Sequence, residues 1–195
     1  MSHLEIAAFI LNVLGVWLTS KQYRICWLVN IAAVFLYMII FYQVHLLADA
    51  ALQGVFIIMQ IYGWFSWSKA TAAEPLHAGY MHKAVLGRSM VIGIAGGLFL
   101  GMLFATYTHA SLPWLDSMLA SFSLVASYWA AKKYIESWAM WCVLDAIYVL
   151  MYLHKSLNLT AFLYFIFILL ALNGWRMWRM KWKADRQAEI QSLGG

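Results

Sequence analysis

The chain has 195 residues, 65% of them apolar and only 11% charged, with 13 lysines and arginines against 8 acids and a net charge of +5. With a mean hydropathy of +0.74, it lies far outside soluble globular usage, so it reads as an integral membrane protein and not as a soluble enzyme. Its basic excess belongs to membrane topology and lipid contact, which argues against nucleic acid as a partner.

Seven apolar stretches follow one another at 4–20, 25–42, 46–67, 89–107, 116–131, 136–153 and 157–178. Each is close to the roughly 20 residues that cross a hydrocarbon core of about 30 Å as a helix. The first has no basic leader and no small-residue cleavage pattern, so it reads as a retained helix. The second carries Asn30, with Tyr37 and Phe41 on its face. Along the third, Asp49, Gln53, Phe56, Gln60, Gly63 and Trp67 recur at alternating spacings of 4 and 3, which puts them on one stripe. The fourth carries Gly93, Gly97 and Gly101 at four-residue spacing, a face that lets another backbone approach closely. Pro75 and Pro113 are expected in the connections on either side of it. The fifth holds Ser123, Ser127 and Trp129. The sixth aligns Trp138, Trp141, Asp145, Tyr148 and Tyr152 on one stripe, and the seventh runs into a solvated basic tail.

The two ends of the chain are one unit written twice. At a constant offset of 111 residues, Trp27 pairs with Trp138, Tyr37 with Tyr148, Phe56 with Phe167, Gly63 with Gly174 and Trp67 with Trp178. Three helices, one unpaired helix and three helices make the copies parallel, the arrangement of a transporter built from two halves around a central site. The expected organisation is a first bundle at 1–67, a loop plus linker helix four at 68–115, a second bundle at 116–178 and a basic tail at 179–195. The fold class is thus all-helical, two parallel three-helix bundles joined 3+1+3 in a SWEET-like manner.

Seven spans also sort the charges. Of the 13 basic residues, all but Lys155 fall on the C-terminal face, which the positive-inside bias makes cytoplasmic, with the N-terminus outside. Cys26 and Cys142 then sit near cytoplasmic helix ends, without metal-ligand spacing, as packing residues. His3, His77, His82 and His109 fall at termini or connections, and His45 and His154 at the outer helix ends, which leaves haem ligation without a membrane-embedded ligand. There is no metal-binding, nucleophile-elbow or phosphate-loop motif, so neither catalysis nor a cofactor is expected.

Asp145 lies near the middle of its span, where a carboxylate costs roughly 2.5 to 3.5 kcal/mol on insertion scales. Either an internal hydrogen bond or a ligand offsets that cost. Trp141 shares its stripe as a stacking residue, with Trp138 one turn nearer the cytoplasm. Tyr148, Gln53, Gln60, Asn30 and Tyr37 complete the candidate substrate-binding set. Rings, amides and one carboxylate suit a flat, polar, cationic molecule. Most other tryptophans, including Trp27, Trp67 and Trp178, fit an aromatic belt or helix packing.

The segment Trp138-x-x-Trp141-x-x-x-Asp145, followed by Leu172-Asn173-Gly174 and Trp178, resembles that of the PnuC-type vitamin transporters. Phe41-Tyr42-Gln43, Leu52-Gln53, Ile61-Tyr62-Gly63-Trp64, Leu115-Asp116-Ser117 and Lys132-Lys133-Tyr134 extend the resemblance over nearly the whole chain. It implies a multi-pass protein of the bacterial inner membrane that takes up nicotinamide riboside by facilitated diffusion, the product being trapped by a cytosolic kinase. By the same resemblance Trp141 and Asp145 belong to the helix-six binding segment, and Gln53 and Gln60 to the helix-three wall. Thiamine is the alternative substrate, riboflavin a weaker one, because a carboxylate near the ring site suits a permanent cation. A membrane receptor or an intramembrane enzyme is the alternative class. Oligomeric state, coupling and direction of flux have no local signature, so a homo-oligomer stays open.

Overall fold

The computed structural model describes residues 3–43, 45–69, 76–107, 112–154, 156 and 158–193; Pro75, His109 and Lys155 lie outside the described residues. Seven helices occupy the described chain: α1 His3–Ser20, α2 Cys26–Gln43, α3 Leu47–Ser68, α4 Lys83–Tyr107, α5 Pro113–Ala131, α6 Glu136–His154 and α7 Asn158–Leu193. Six are long and apolar enough to cross a membrane. The exception is α5, where Asp116 and buried Ser117, Ser121, Ser123 and Ser127 lower the hydropathy. It can bear them because it packs against α3, α4 and α6, so protein and not lipid surrounds it.

Three boundaries differ from expectation. α4 begins at Lys83, one and a half turns before the apolar run. Pro113 opens α5 instead of lying in the connection, since a first-turn position leaves its amide unbonded in any case. α7 runs 36 residues to Leu193, about 54 Å at 1.5 Å per residue, so the basic tail continues the helix beyond a core of about 30 Å.

The internal repeat is written into the backbone. The α1–α2 turn passes through left-handed Gln22 (φ 60°) and the α5–α6 turn through Lys133 (φ 56°), while His45 (φ 60°) and Ser156 (φ 58°) turn α2 into α3 and α6 into α7. Each pair is 111 residues apart. Tyr23 N–H returns to the Leu18 carbonyl at 3.1 Å, and its mate Tyr134 N–H to Trp129 at 2.9 Å, so both helices end in the same Schellman-type cap. None of the four is glycine, which is why the caps were not visible as turn signals.

Packing repeats the relation. α1 lies on α2 and α2 on α3, as α5 lies on α6 and α6 on α7; α3 meets α5 while its mate α7 meets α1. A side chain at Gly63 would strike the Trp27 ring, and one at Gly174 the Trp138 ring. α4 has no mate. Its glycines run antiparallel along α5, Gly93 against Phe122, Gly97 against Met118 and Gly101 against Trp114, with Ser121 donating to the Gly93 carbonyl at 2.8 Å and Trp129 Nε1 to Ser89 Oγ at 3.1 Å. The expected close-approach face is therefore a face toward α5.

Candidate functional site

Two aromatic layers lie one above the other in the bundle. The inner one, at the cytoplasmic helix ends by the expected orientation, is built from the repeat-related tryptophans. Trp27 meets Trp67 edge-on at 5.3 Å, Trp138 meets Trp178 edge-on at 5.4 Å, and Trp67 and Trp178 close the group at 6.2 Å. All four are buried, with Cys26 and Ile135 in the same cluster. Two of the indoles also cap helices. Trp67 Nε1 donates to the Ala130 carbonyl at the end of α5 at 3.3 Å, and Trp178 Nε1 to Thr19 and Ser20 at the end of α1 at 3.3 and 3.2 Å. Local amides already reach two of these acceptors, Gln22 N–H the Thr19 carbonyl at 2.9 Å and Lys133 N–H the Ala130 carbonyl at 3.0 Å, so each indole adds a donor from α7 or α3 to a helix end whose last carbonyls lack intrahelical partners. Trp27 Nε1 and Trp138 Nε1 are buried without a partner among the described residues.

Lys133 covers the cluster from below, its Nζ 4.8 Å from the Trp67 ring centroid. Burial, then the Lys181 charge, holds this ammonium down at about 8, well under the usual lysine range.

The outer layer is phenolic. Tyr148 and Tyr152 follow Asp145 on the same α6 stripe, and Tyr164 of α7 stacks on both, at 4.6 and 5.3 Å. The Tyr148 hydroxyl meets Ser123 of α5, and at the repeat-related position Tyr37 meets Asn12 of α1. Tyr37 also lies close enough to Tyr152 and Tyr164 for electrostatic coupling, so α2 faces α6 and α7 here. Asp49 and Asp116, in the first turns of α3 and α5, face each other's charge at the same end.

Between the layers sit two buried polar groups. Asp145 is 5% exposed and Gln60 9%. The Asp145 carboxylate has no hydrogen-bond or ion-pair partner among the described residues, and Gln60 Oε1 is likewise unpartnered. α3 runs toward the indole cluster and α6 away from it; Gln60 lies seven residues from Trp67, and Asp145 seven from Trp138. At 1.5 Å per residue both groups stand about 10 Å outward of the indole cluster, at one depth. Native proteins rarely leave two such groups unsatisfied without a resident water or ligand.

The expected site residues therefore divide. Tyr148 and Tyr37 belong to the outer layer, with Asp145 and Gln60 at one depth between it and the indoles. Trp141 touches both apolar clusters and so connects the two layers. Trp138 belongs to the indole cluster and packs on Gly174. Asn30 seats its amide where a side chain at Gly15 would lie, which joins α1 to α2. Gln53 is half-buried. Tyr164 was not anticipated, because its place depends on α7 meeting α6. Trp67 and Trp178 pack, as expected, but as a crossing between halves. Cys26 is buried in the indole cluster and Cys142 lies against it.

Known proteins share this architecture. A crystal structure of the vitamin B3 transporter PnuC superposes with a TM-score of 0.75 over 93% of this chain and 82% of that one, at 19% identity. The nicotinamide riboside transporter PnuC of Escherichia coli (strain K12) is 26% identical over 91% of this chain and 85% of its own. The riboflavin/roseoflavin transporter RibM of Streptomyces davaonensis is 26% identical over 75% of this chain and 71% of its own. Matched over residues 2–180 by the model of the nicotinamide mononucleotide transporter family, the chain belongs to that family, and is a multi-pass membrane transporter and not an enzyme.

Proposed function

We propose that this transporter carries nicotinamide riboside inward by facilitated diffusion. The observation that carries the reading is the pair of unpartnered buried groups, Asp145 and Gln60, at one depth between two aromatic layers. A pyridinium ring stacked beside Trp141 and the tyrosines would answer the Asp145 charge, while its carboxamide or ribose would satisfy Gln60 and the phenols. Trp138 bounds the same site from the indole cluster, and Gln53 and Asn30 bound it at the sides.

In this reading α1–α3 and α5–α7 are parallel bundles joined by α4 as linker, and the repeat-related caps, indoles and glycines support it. The chain starts outside and ends in the cytoplasm of a bacterial cell, at its inner membrane. The indole cluster seals the cytoplasmic side, the bundles rock about the ligand, and the site opens alternately to each face. A cytosolic kinase phosphorylates the product and prevents its return.

Riboflavin is a second reading, since RibM is named for it at the same identity, and thiamine shares the permanent positive charge. The test is parallel tryptophan-fluorescence titration with all three vitamins, followed by uptake into proteoliposomes. Tight quenching and flux with nicotinamide riboside, lost at least about tenfold in Asp145→Ala and Trp141→Ala, are expected. Unchanged affinity and flux in both variants would remove the site. Response to riboflavin alone would move the substrate to a neutral flavin.

A further inference from the structure

One side of α7 is turned away from the bundle along its whole length. Phe162, Phe165, Leu169 and Leu172 lie on it at spacings of 3, 4 and 3, each about half exposed. The same stripe continues as Arg176, Arg179 and Lys183, at 4, 3 and 4 further residues, all exposed. The change from apolar to cationic falls at a defined depth. Trp178 bonds the last carbonyls of α1, so Arg176 and Arg179 flank the level where the neighbouring helix ends, and Lys183 stands about one turn beyond it. A groove of about 400 Å³ opens at this transition, lined by Leu172, Trp175, Arg176, Arg179, Met180 and Lys183. The single ion pair among the described residues joins His77 and Asp185, so no described residue forms an ion pair with any of the three cations.

We propose that this groove is a binding site for the headgroup phosphate of an anionic phospholipid, whose acyl chain lies along the apolar part of the stripe. Two guanidinium groups and one ammonium converge on one phosphodiester, a match that guanidinium geometry favours. Trp175 and Met180 cover the glycerol level, and the four exposed apolar residues give a chain about 15 Å of helix to follow. A zwitterionic lipid offers the same chain but no net charge to three exposed cations, so the site discriminates by charge. The inference does not depend on which vitamin is carried.

The test is native mass spectrometry of the purified chain with added phosphatidylglycerol or phosphatidylcholine of identical acyl chains. We compare the natural sequence, the triple variant R176Q/R179Q/K183Q and a charge-matched control, K69Q/K83Q/R88Q, altered elsewhere on the same face. A phosphatidylglycerol adduct that persists in the natural sequence and the control, and falls by at least about tenfold in the α7 variant, is expected. Equal loss in both triples would reduce the effect to diffuse surface charge and overturn the site. So would equal retention of the two lipids by the natural chain, or displacement of the adduct by millimolar inorganic phosphate, which would make the ligand a free anion. A second measurement needs no charge substitution. Phosphatidylglycerol with brominated chains should quench the Trp175 emission, obtained as the difference between the natural chain and Trp175→Phe, more than brominated phosphatidylcholine does; equal quenching would overturn the proposal independently.

Discussion

Trp27 and Trp178 have the same ring, the same burial and the same cluster, but different bonds. The indole N–H of Trp178 serves two carbonyls at the end of α1, while that of Trp27 serves none among the described residues. Trp178→Phe therefore takes the indole donor from the Ser20 carbonyl, while the Thr19 carbonyl keeps the Gln22 N–H at 2.9 Å, at a cost of about 1–3 kcal/mol beyond the lost ring volume. Trp27→Phe removes comparable volume and no bond. Thermal unfolding in one detergent should show the Trp178 variant melting below the Trp27 variant; coincident melting would deny the cap its role. The residue scale is also where the sequence was least legible. The offset of 111 identified these tryptophans as mates, but belt and packing were the natural readings for rings at helix ends. Only the crossing of α3 onto α5 and of α7 onto α1 turns Trp67 and Trp178 into donors for another helix's end. Asp145 was legible because a carboxylate in mid-span needs a cause. Tyr164 was not, since an isolated tyrosine in an apolar helix carries no spacing pattern.

At the scale of helices, the glycine face of α4 is the clearest case of sequence dictating packing. Gly97 meets Met118 so closely that an added Cβ would lie 3.1 Å from its Cα, a backbone atom that cannot rotate away. Gly97→Leu should force α4 from α5 and cost about 1–3 kcal/mol, the usual range for overpacking. Phe99→Leu, on the face turned away from the protein at 63% exposure, should fall within about 0.5 kcal/mol of the natural chain. Equal destabilisation would mean that α4 is held by something other than this seam. The helix stripes themselves were read correctly from spacing, yet one stripe proved to serve two layers. From Trp138 to Tyr152 is about 21 Å of α6, so its first turns join the indoles and its last turns the phenols. Spacing establishes which residues share a face, but depth along that face decides what each one touches.

For the whole molecule, the repeat makes the proposed transport motion testable with a native reporter. If the bundles rock, opening the cytoplasmic side must part Trp67 from Trp178 and break the bonds that each makes to the other half. Cys26 lies fully buried in that cluster, and its thiol becomes accessible only when the cluster opens. With Cys142 replaced by alanine, a cytosol-side maleimide should label Cys26 slowly in the natural background. Labelling should quicken several-fold in Trp67→Phe and Trp178→Phe, where the seal has lost a bond to α5 or α1, and should respond to a saturating transported vitamin. An extracellular reagent should show no such dependence, because the indoles remain between it and the thiol when the outer side is open. If Cys26 labels at one rate in every background and with every ligand, the cluster is a static core, and the bundles must separate along a surface other than the one on which the two repeats exchange their helix caps.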